Sequence, residues 1–251
     1  MRGLPRGGAS RRAGRALGDP APSRAGAQPR RRGSARRGDR LPPRRRRGAA
    51  SRLAKHRQGF DAVGGAITNG TPRHPVGTAG YLLEYSALLP SDELLSEQPL
   101  PHCLSYTRAL LEAVGPFPED TETGEDTLLN RRVVEHGARI GFDARIQLAH
   151  RNLTRLVPYL RHQYEHGRGL MQCVDRHDLA SPVGSPGTPA PVRAWRIAAV
   201  YPGLRWRNCL RRVRRGRPEL TARYLVLSPL IWAGLWATAL GAWHEWRRTA
   251  A

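Results

Sequence analysis

Twenty consecutive residues near the C-terminus, Tyr224 to Trp243 (YLVLSPLIWAGLWATALGAW), carry no charge. An apolar run of that length has to leave water, either into a bilayer or into the interior of the folded chain. Ser228-Pro229 supplies an N-cap and a first helical position. A helix from Pro229 to Trp246 would rise roughly 27 Å, close to the hydrocarbon thickness of a bilayer. Tyr224, Trp243 and Trp246 stand near its ends, where an aromatic belt would sit. The flanks are dense with arginine, more so on the N-terminal side. The expectation is a transmembrane helix over 224–246, at the cell membrane, with the preceding chain on the cytoplasmic side. A helix buried in a soluble core is the alternative.

Charge divides the rest of the chain. The formal net charge is +22, from 41 arginines and the single Lys55 against 20 carboxylates. The first 58 residues hold 18 of those arginines and Lys55 against Asp19 and Asp39 alone, so +17 of the excess lies there. Residues 1–50 contain too few apolar side chains to offset the entropy of ordering, which predicts a disordered arm. Such an arm could dock RNA or anionic lipid. No aromatic residue is interleaved with its arginines, which disfavours nucleic acid. Arginine, alanine, glycine and proline in excess with almost no lysine fit GC-rich coding DNA, and a misplaced start or shifted frame would write the same arm. Cys103, Cys173 and Cys209 are odd in number and widely spaced. They form neither a disulfide framework nor a zinc pattern, which favours a reducing compartment. No apolar stretch follows the Arg-rich start, so no secretory signal is expected.

Between the arm and the tail, strands alternate with helices, and the fold class expected is α/β. SRLAKHRQ (51–58) suits a short helix. FDAVGGAITNG supplies a strand over Ala62–Thr68 broken at Gly64-Gly65, and TAGYLLEYSALLP a helix stopped by Pro90. Thr107–Val114 reads as a helix ended by Gly115-Pro116, and Asp126–His136 as another closed by Gly137. ARIGF and ARIQLAH read as two further strands. NLTRLVPYLRHQYEHGRG reads as an amphipathic helix with Leu153, Leu156, Leu160 and Tyr164 on one face. SPVGSPGTPAP then reads as a linker, and the Trp- and Arg-rich stretch that follows as an interfacial segment. The division expected is 1–50, 51–180, 181–223 and 224–246.

Chemistry concentrates in TGEDTLLNRRVVEHGARIGFDARIQLAHRN, Thr123 to Asn152. Moving a sugar from a nucleotide donor to a hydroxyl needs a carboxylate to take the acceptor's proton. It also needs the leaving diphosphate neutralised, commonly by a divalent cation on oxygen ligands with an occasional imidazole. Glu125 and Asp126 stand at a helix start, where the positive end of the dipole favours an anion. A plain capping sequence has the same form, and a lone histidine after a strand, such as His150, is commonly structural.

The order VGGAITNG, AGYLLEYSALLP, LPHCLSYTRALLEAVGPFPED, GEDTLLNRRVVEHGARIGFDARIQLAHRN and HGRGL resembles the acceptor-side half of glycosyltransferase family 2 over about residues 51–170. The tail LSPLIWAGLWATALGAW looks like the membrane helix that ends many members. The resemblance implies a partial GT-A-like, Rossmann-like sheet with flanking helices. It implies Asp126 as general base with Glu125 beside it, and His150 as a ligand to a divalent metal, Mg2+ or Mn2+. It implies Gly64 and Gly65 as a turn where backbone approaches substrate, and Arg168 near the diphosphate. The implied partners are a nucleotide-sugar donor and a hydroxyl acceptor. Gln163 is followed by His166 rather than Arg and by no Trp, so the signature of processive synthases is not reproduced and a single addition is the better expectation. The chain also departs from the family. No D-x-D occurs in it, Cys103 stands where Asn is frequent, and the Arg-rich arm occupies the place of the donor-binding half. The chain alone should then bind donor poorly, each lost charged contact costing about 1.5–3 kcal/mol, and a partner chain would have to supply that half. A membrane-associated protein that docks polyanions through the arm, without catalysis, is the second reading.

Overall fold

The computed structural model describes residues 43–91, 104–121, 123–179, 181–185 and 187–249. All of them belong to one compact unit. The class is mixed α/β: a small three-stranded sheet, ordered β2-β1-β3, and a larger body of helices. The expectations for residues 1–42 and for Cys103 lie outside the described residues. Order begins earlier than Ser51, because helix α1 spans Pro43–Arg57.

Strand β1 (Ala62–Asn69) is central, and its first six residues are all buried. Short β2 (Ser105–Tyr106) pairs with it antiparallel, and β3 (Ile140–His150) pairs parallel. A parallel partner requires a long crossover. Here the crossover contains α2 (Pro75–Glu84), α3 (Arg108–Val114) and α4 (Glu125–Glu135). Thr107 caps α3 by accepting the Leu110 amide at 3.3 Å.

Two strands were expected after α4, and one is found. The register jumps from Gly65 opposite Asp143 to Ala66 opposite Gln147, so Ala144–Ile146 form a bulge within a continuous β3. Gly65 permits it. A Cβ at that position would overlap the Ile146 carbonyl and side chain. Asp143 folds the bulge tip back by accepting from Arg145 N at 3.0 Å and Arg145 Nε at 2.9 Å. The Gly64-Gly65 pair therefore does not break β1, and both glycines are buried in the sheet.

Helix α5 (Leu156–His177) buries a different face from the one expected. Leu153 and Leu156 are exposed, while Tyr159, Gln163, Gly167, Met171 and Val174 are buried. The partner is α9 (Ser228–Thr249), and the two backbones nearly touch. A Cβ on Gly167 would overlap the Thr238 carbonyl, and one on Gly241 the Tyr164 carbonyl. Glycine and glutamine on the seam are invisible to a search for leucines.

The C-terminal helices pack into the same unit as the sheet. Helices α6 (Ala190–Trp195) and α7 (Tyr201–Gly216) are joined through a π-helical turn, and α8 (Thr221–Val226) precedes α9. Cys209, Val213, Tyr224, Leu227, Ile231 and Leu235 from this region share one core with Ile67 of β1 and Leu82 of α2. That core crosses the boundaries expected at 180 and 223. The unbroken helix expected over 224–246 is also interrupted, at Leu227. Among the described residues no single helix is long and apolar enough to cross a membrane. Pro218–Val226 and Ser228–Thr249 reach that length and composition only as a pair bent by 73°. Glu245, on α9, is buried and holds Arg168 and Arg248.

Candidate functional site

Parallel strands of α/β folds place their chemistry beyond their carboxyl ends. In this chain those ends are Asn69 and His150, which face each other in register. A polar network closes around them. Asn152 Nδ2 donates to Asn69 Oδ1 and to Thr71 Oγ1, each at 3.1 Å. Asn69 Nδ2 in turn donates to Thr78 Oγ1 at 3.1 Å. With its amide hydrogens so engaged, Asn152 turns Oδ1 to His150 Nδ1 at 2.9 Å, which assigns the ring proton to Nδ1. His150 Nε2 is then the acceptor for the Tyr85 hydroxyl at 3.1 Å, and the two rings lie 4.7 Å apart. Burial, the charges of Glu84 and Asp126 and a hydrogen bond with Glu84 push the Tyr85 hydroxyl well above the ordinary tyrosine range, so it stays protonated between His150 and Glu84.

Glu125 and Asp126 open α4 as expected, after Gly124 in a left-handed conformation at φ 96°. Glu125 is exposed and Asp126 half-buried. Asp126 Oδ1 accepts the Thr127 amide at 2.7 Å, a local bond that fixes the carboxylate. Its charge is felt by three neighbours. Burial and then Asp126 push the Tyr106 hydroxyl up to about 12. Burial, Asp126, Glu125 and Asp120 push the Cys173 thiol up to about 11. Tyr85 is the third, and it links the two parts: it senses Asp126 and bonds His150. Tyr85 and His150 thus meet at the carboxyl end of the parallel strands, and Asp126, at the start of α4, stands within electrostatic reach of Tyr85.

Other expected members stand elsewhere. Gly64 and Gly65 form no turn toward a ligand, because the room Gly65 leaves is taken by the β3 bulge. Arg168 donates through Nε to Glu245 Oε2 at 3.0 Å, across the α5–α9 seam. His150 has a phenol and an amide on its ring nitrogens rather than carboxylates. That donor set does not fit a hard cation such as Mg2+ or Mn2+. Two surface hollows, about 290 and 650 Å3, are lined around Asp61 and Leu110 and around Tyr106 and Phe117. Neither lining includes Asp126, Tyr85 or His150, though the second includes Tyr106, which feels the charge of Asp126.

The sequence alone does not single out Glu84, Tyr85 or His162, and His166 stands out in it only as a departure from the processive signature. Glu84, the last residue of α2, accepts from Gln163 Nε2 at 2.5 Å and lies 3.6 Å from His162 Nε2. His162 Nε2 and His166 Nε2 are 3.0 Å apart. Burial opposes ionisation of Glu84, yet the bonds from His162 and Gln163 and the nearby imidazoles hold its carboxyl below the usual range. The Glu84 bond raises His162 against the opposing effect of burial. The signals were present in the sequence: one carboxylate in an otherwise apolar helix, and two histidines four apart. No protein-family model matches the chain, and neither does any curated protein or solved structure.

Proposed function

We propose that this chain carries the acceptor side of a sugar-transferring site, with Asp126 as the base. The observation that supports the reading is the position of Tyr85, whose hydroxyl bonds His150 while its ring lies within the field of Asp126. The phenol and the imidazole border the carboxyl end of the parallel strand pair, and the carboxylate at the start of α4 lies within electrostatic reach of the phenol. In the reaction, the acceptor hydroxyl loses its proton to the Asp126 carboxylate as its oxygen bonds to the sugar's anomeric carbon. The bond from that carbon to the donor's diphosphate breaks, and the diphosphate leaves with the electron pair. His150 and Asn152 orient Tyr85, which holds a hydroxyl or sugar oxygen by hydrogen bonding. No step runs through a metal on His150.

The donor half is supplied by another chain or segment, since the residues that hold a nucleotide diphosphate in such enzymes are not found in this sequence. The site lies at a membrane surface, where the outer stripe of α9, with Trp236 and Leu240 about half exposed, meets lipid. The test is to incubate the purified chain with a panel of nucleoside-diphosphate sugars in the millimolar range, Mg2+ or Mn2+, and a lipid extract as acceptor source. Release of nucleoside diphosphate from at least one donor, dependent on the acceptor, is the expected result. No release from any donor, with or without a companion transferase domain bearing D-x-D, contradicts the reading.

A further inference from the structure

We propose that Glu84, His162 and His166 form a binding site for a first-row divalent transition metal of the zinc class. His162 and His166 are one turn apart on α5, so both rings leave the same face. Their Nε2 atoms converge to 3.0 Å, with the rings edge to face. Glu84 approaches from the end of α2, and one donor atom from each of the three residues falls within 4.8 Å of the others. Zinc bonds to nitrogen and oxygen at about 2.0–2.2 Å, so adjacent ligands on a tetrahedral ion are roughly 3.3 Å apart. The observed 3.0 Å and 3.6 Å separations bracket that value. The third pair, Glu84 and His166, lies within 4.8 Å, and side-chain rotation would close the set on an ion.

The surroundings are those of a built site. Gln163 is buried and donates to Glu84 Oε1 at 2.5 Å, while its own carbonyl accepts from Thr238 at 3.4 Å. Outer-shell bonds of this kind orient metal ligands and sharpen affinity. The His162 side chain is 39% exposed, which leaves a route for an ion and room for a water in the fourth position. Two imidazoles and one carboxylate suit Zn2+, Co2+ or Ni2+ rather than Mg2+ or Ca2+. The structural alternative is an ion pair that only ties α2 to α5. The site adjoins Tyr85, but the inference does not rest on sugar transfer, because its readout is metal binding.

The chelator-stripped full chain is titrated with Zn2+ by calorimetry and with Co2+ by visible absorption. One equivalent, with the intense d–d bands of a four-coordinate ion, is the expected result. The variants His162→Gln and His166→Gln keep a polar group at each position, and each should lose that equivalent. Gln163→Ala should weaken it 10- to 100-fold, and His244→Ala should leave it unchanged. Absence of Co2+ bands in the unaltered chain overturns the proposal, and that result does not depend on how any variant folds. Unchanged Zn2+ affinity in both glutamine variants overturns it as well.

Discussion

Asp143 shows how a single side chain can govern a strand. Its carboxylate is nearly buried, yet it grips the backbone amide and guanidinium of Arg145 across the tip of the bulge. The hydrogen bond from Arg145 outweighs burial and holds the Asp143 carboxyl below its ordinary range. A carboxyl depressed in the folded state stabilises above its unfolded pKa, and that contribution is lost as pH falls through the folded value. Asp143→Asn should therefore cost about 1–3 kcal/mol at neutral pH. It should also flatten the loss of stability that the unaltered chain shows below about pH 4. Urea unfolding from pH 3 to 7 checks both, and an unchanged acid limb would remove Asp143 from the account. At the same scale, Tyr85 was hidden in the sequence because one tyrosine among leucines reads as core. Only the fold brings it against His150, 65 residues on.

At the scale of elements, close approaches decide the architecture. The β1–β3 pair tolerates its bulge because Gly65 has no side chain, and α5 meets α9 through Gly167 and Gly241. Gly65→Ala and Gly167→Ala each force backbone apart, and overpacking of this kind costs about 1–3 kcal/mol. Each should lower the melting temperature by roughly 2–10 °C for a folded unit of this size. Gly203→Ala, where a Cβ meets nothing, should change little. Differential scanning calorimetry separates these outcomes. Helix positions were legible because caps and stops are local: Thr107 before α3, Gly115 and Gly137 after α3 and α4. The buried face of α5 was not legible, since it is defined by glycine and glutamine that only a neighbouring backbone explains. The continuity of β3 was equally hidden, because Ala144-Arg145 looks like a break until Asp143 is seen holding it.

At the scale of the molecule, α9 reconciles two readings of one sequence. Its inner face closes the core with Ile231 and Leu235, and Glu245 is anchored by arginines from α5 and from its own last turn. Its outer face keeps Trp236 and Leu240 in solvent, and Leu225 and Val226 at the end of the preceding α8 are exposed as well. The exposed arginines of α7, among them Arg207, Arg211 and Arg214, add positive charge. This combination suits a helix lying on an anionic surface. Vesicles of mixed phosphatidylserine and phosphatidylcholine should capture the chain, with affinity falling as salt rises. Trp236→Ser with Leu240→Ser should reduce capture by about tenfold or more, following the apolar area withdrawn from lipid. Equal capture by the double variant would mean that α9 does not face the bilayer. The uncharged run in the sequence announced burial, but not that one face of the helix would close the protein's core while Trp236 and Leu240 on the other stay exposed.

All three scales meet at Asp126, and one measurement bears on it most directly: the rate of sugar transfer by Asp126→Asn beside the unaltered chain, each supplied with the same companion donor-binding domain, with circular dichroism confirming the same fold. Asparagine keeps the shape and the local bond to Thr127 but cannot take a proton. The account predicts a fall in turnover of about 10²- to 10⁴-fold with the melting temperature preserved. Turnover within a factor of two of the unaltered chain would contradict it, and would leave Asp126 as no more than the first turn of α4.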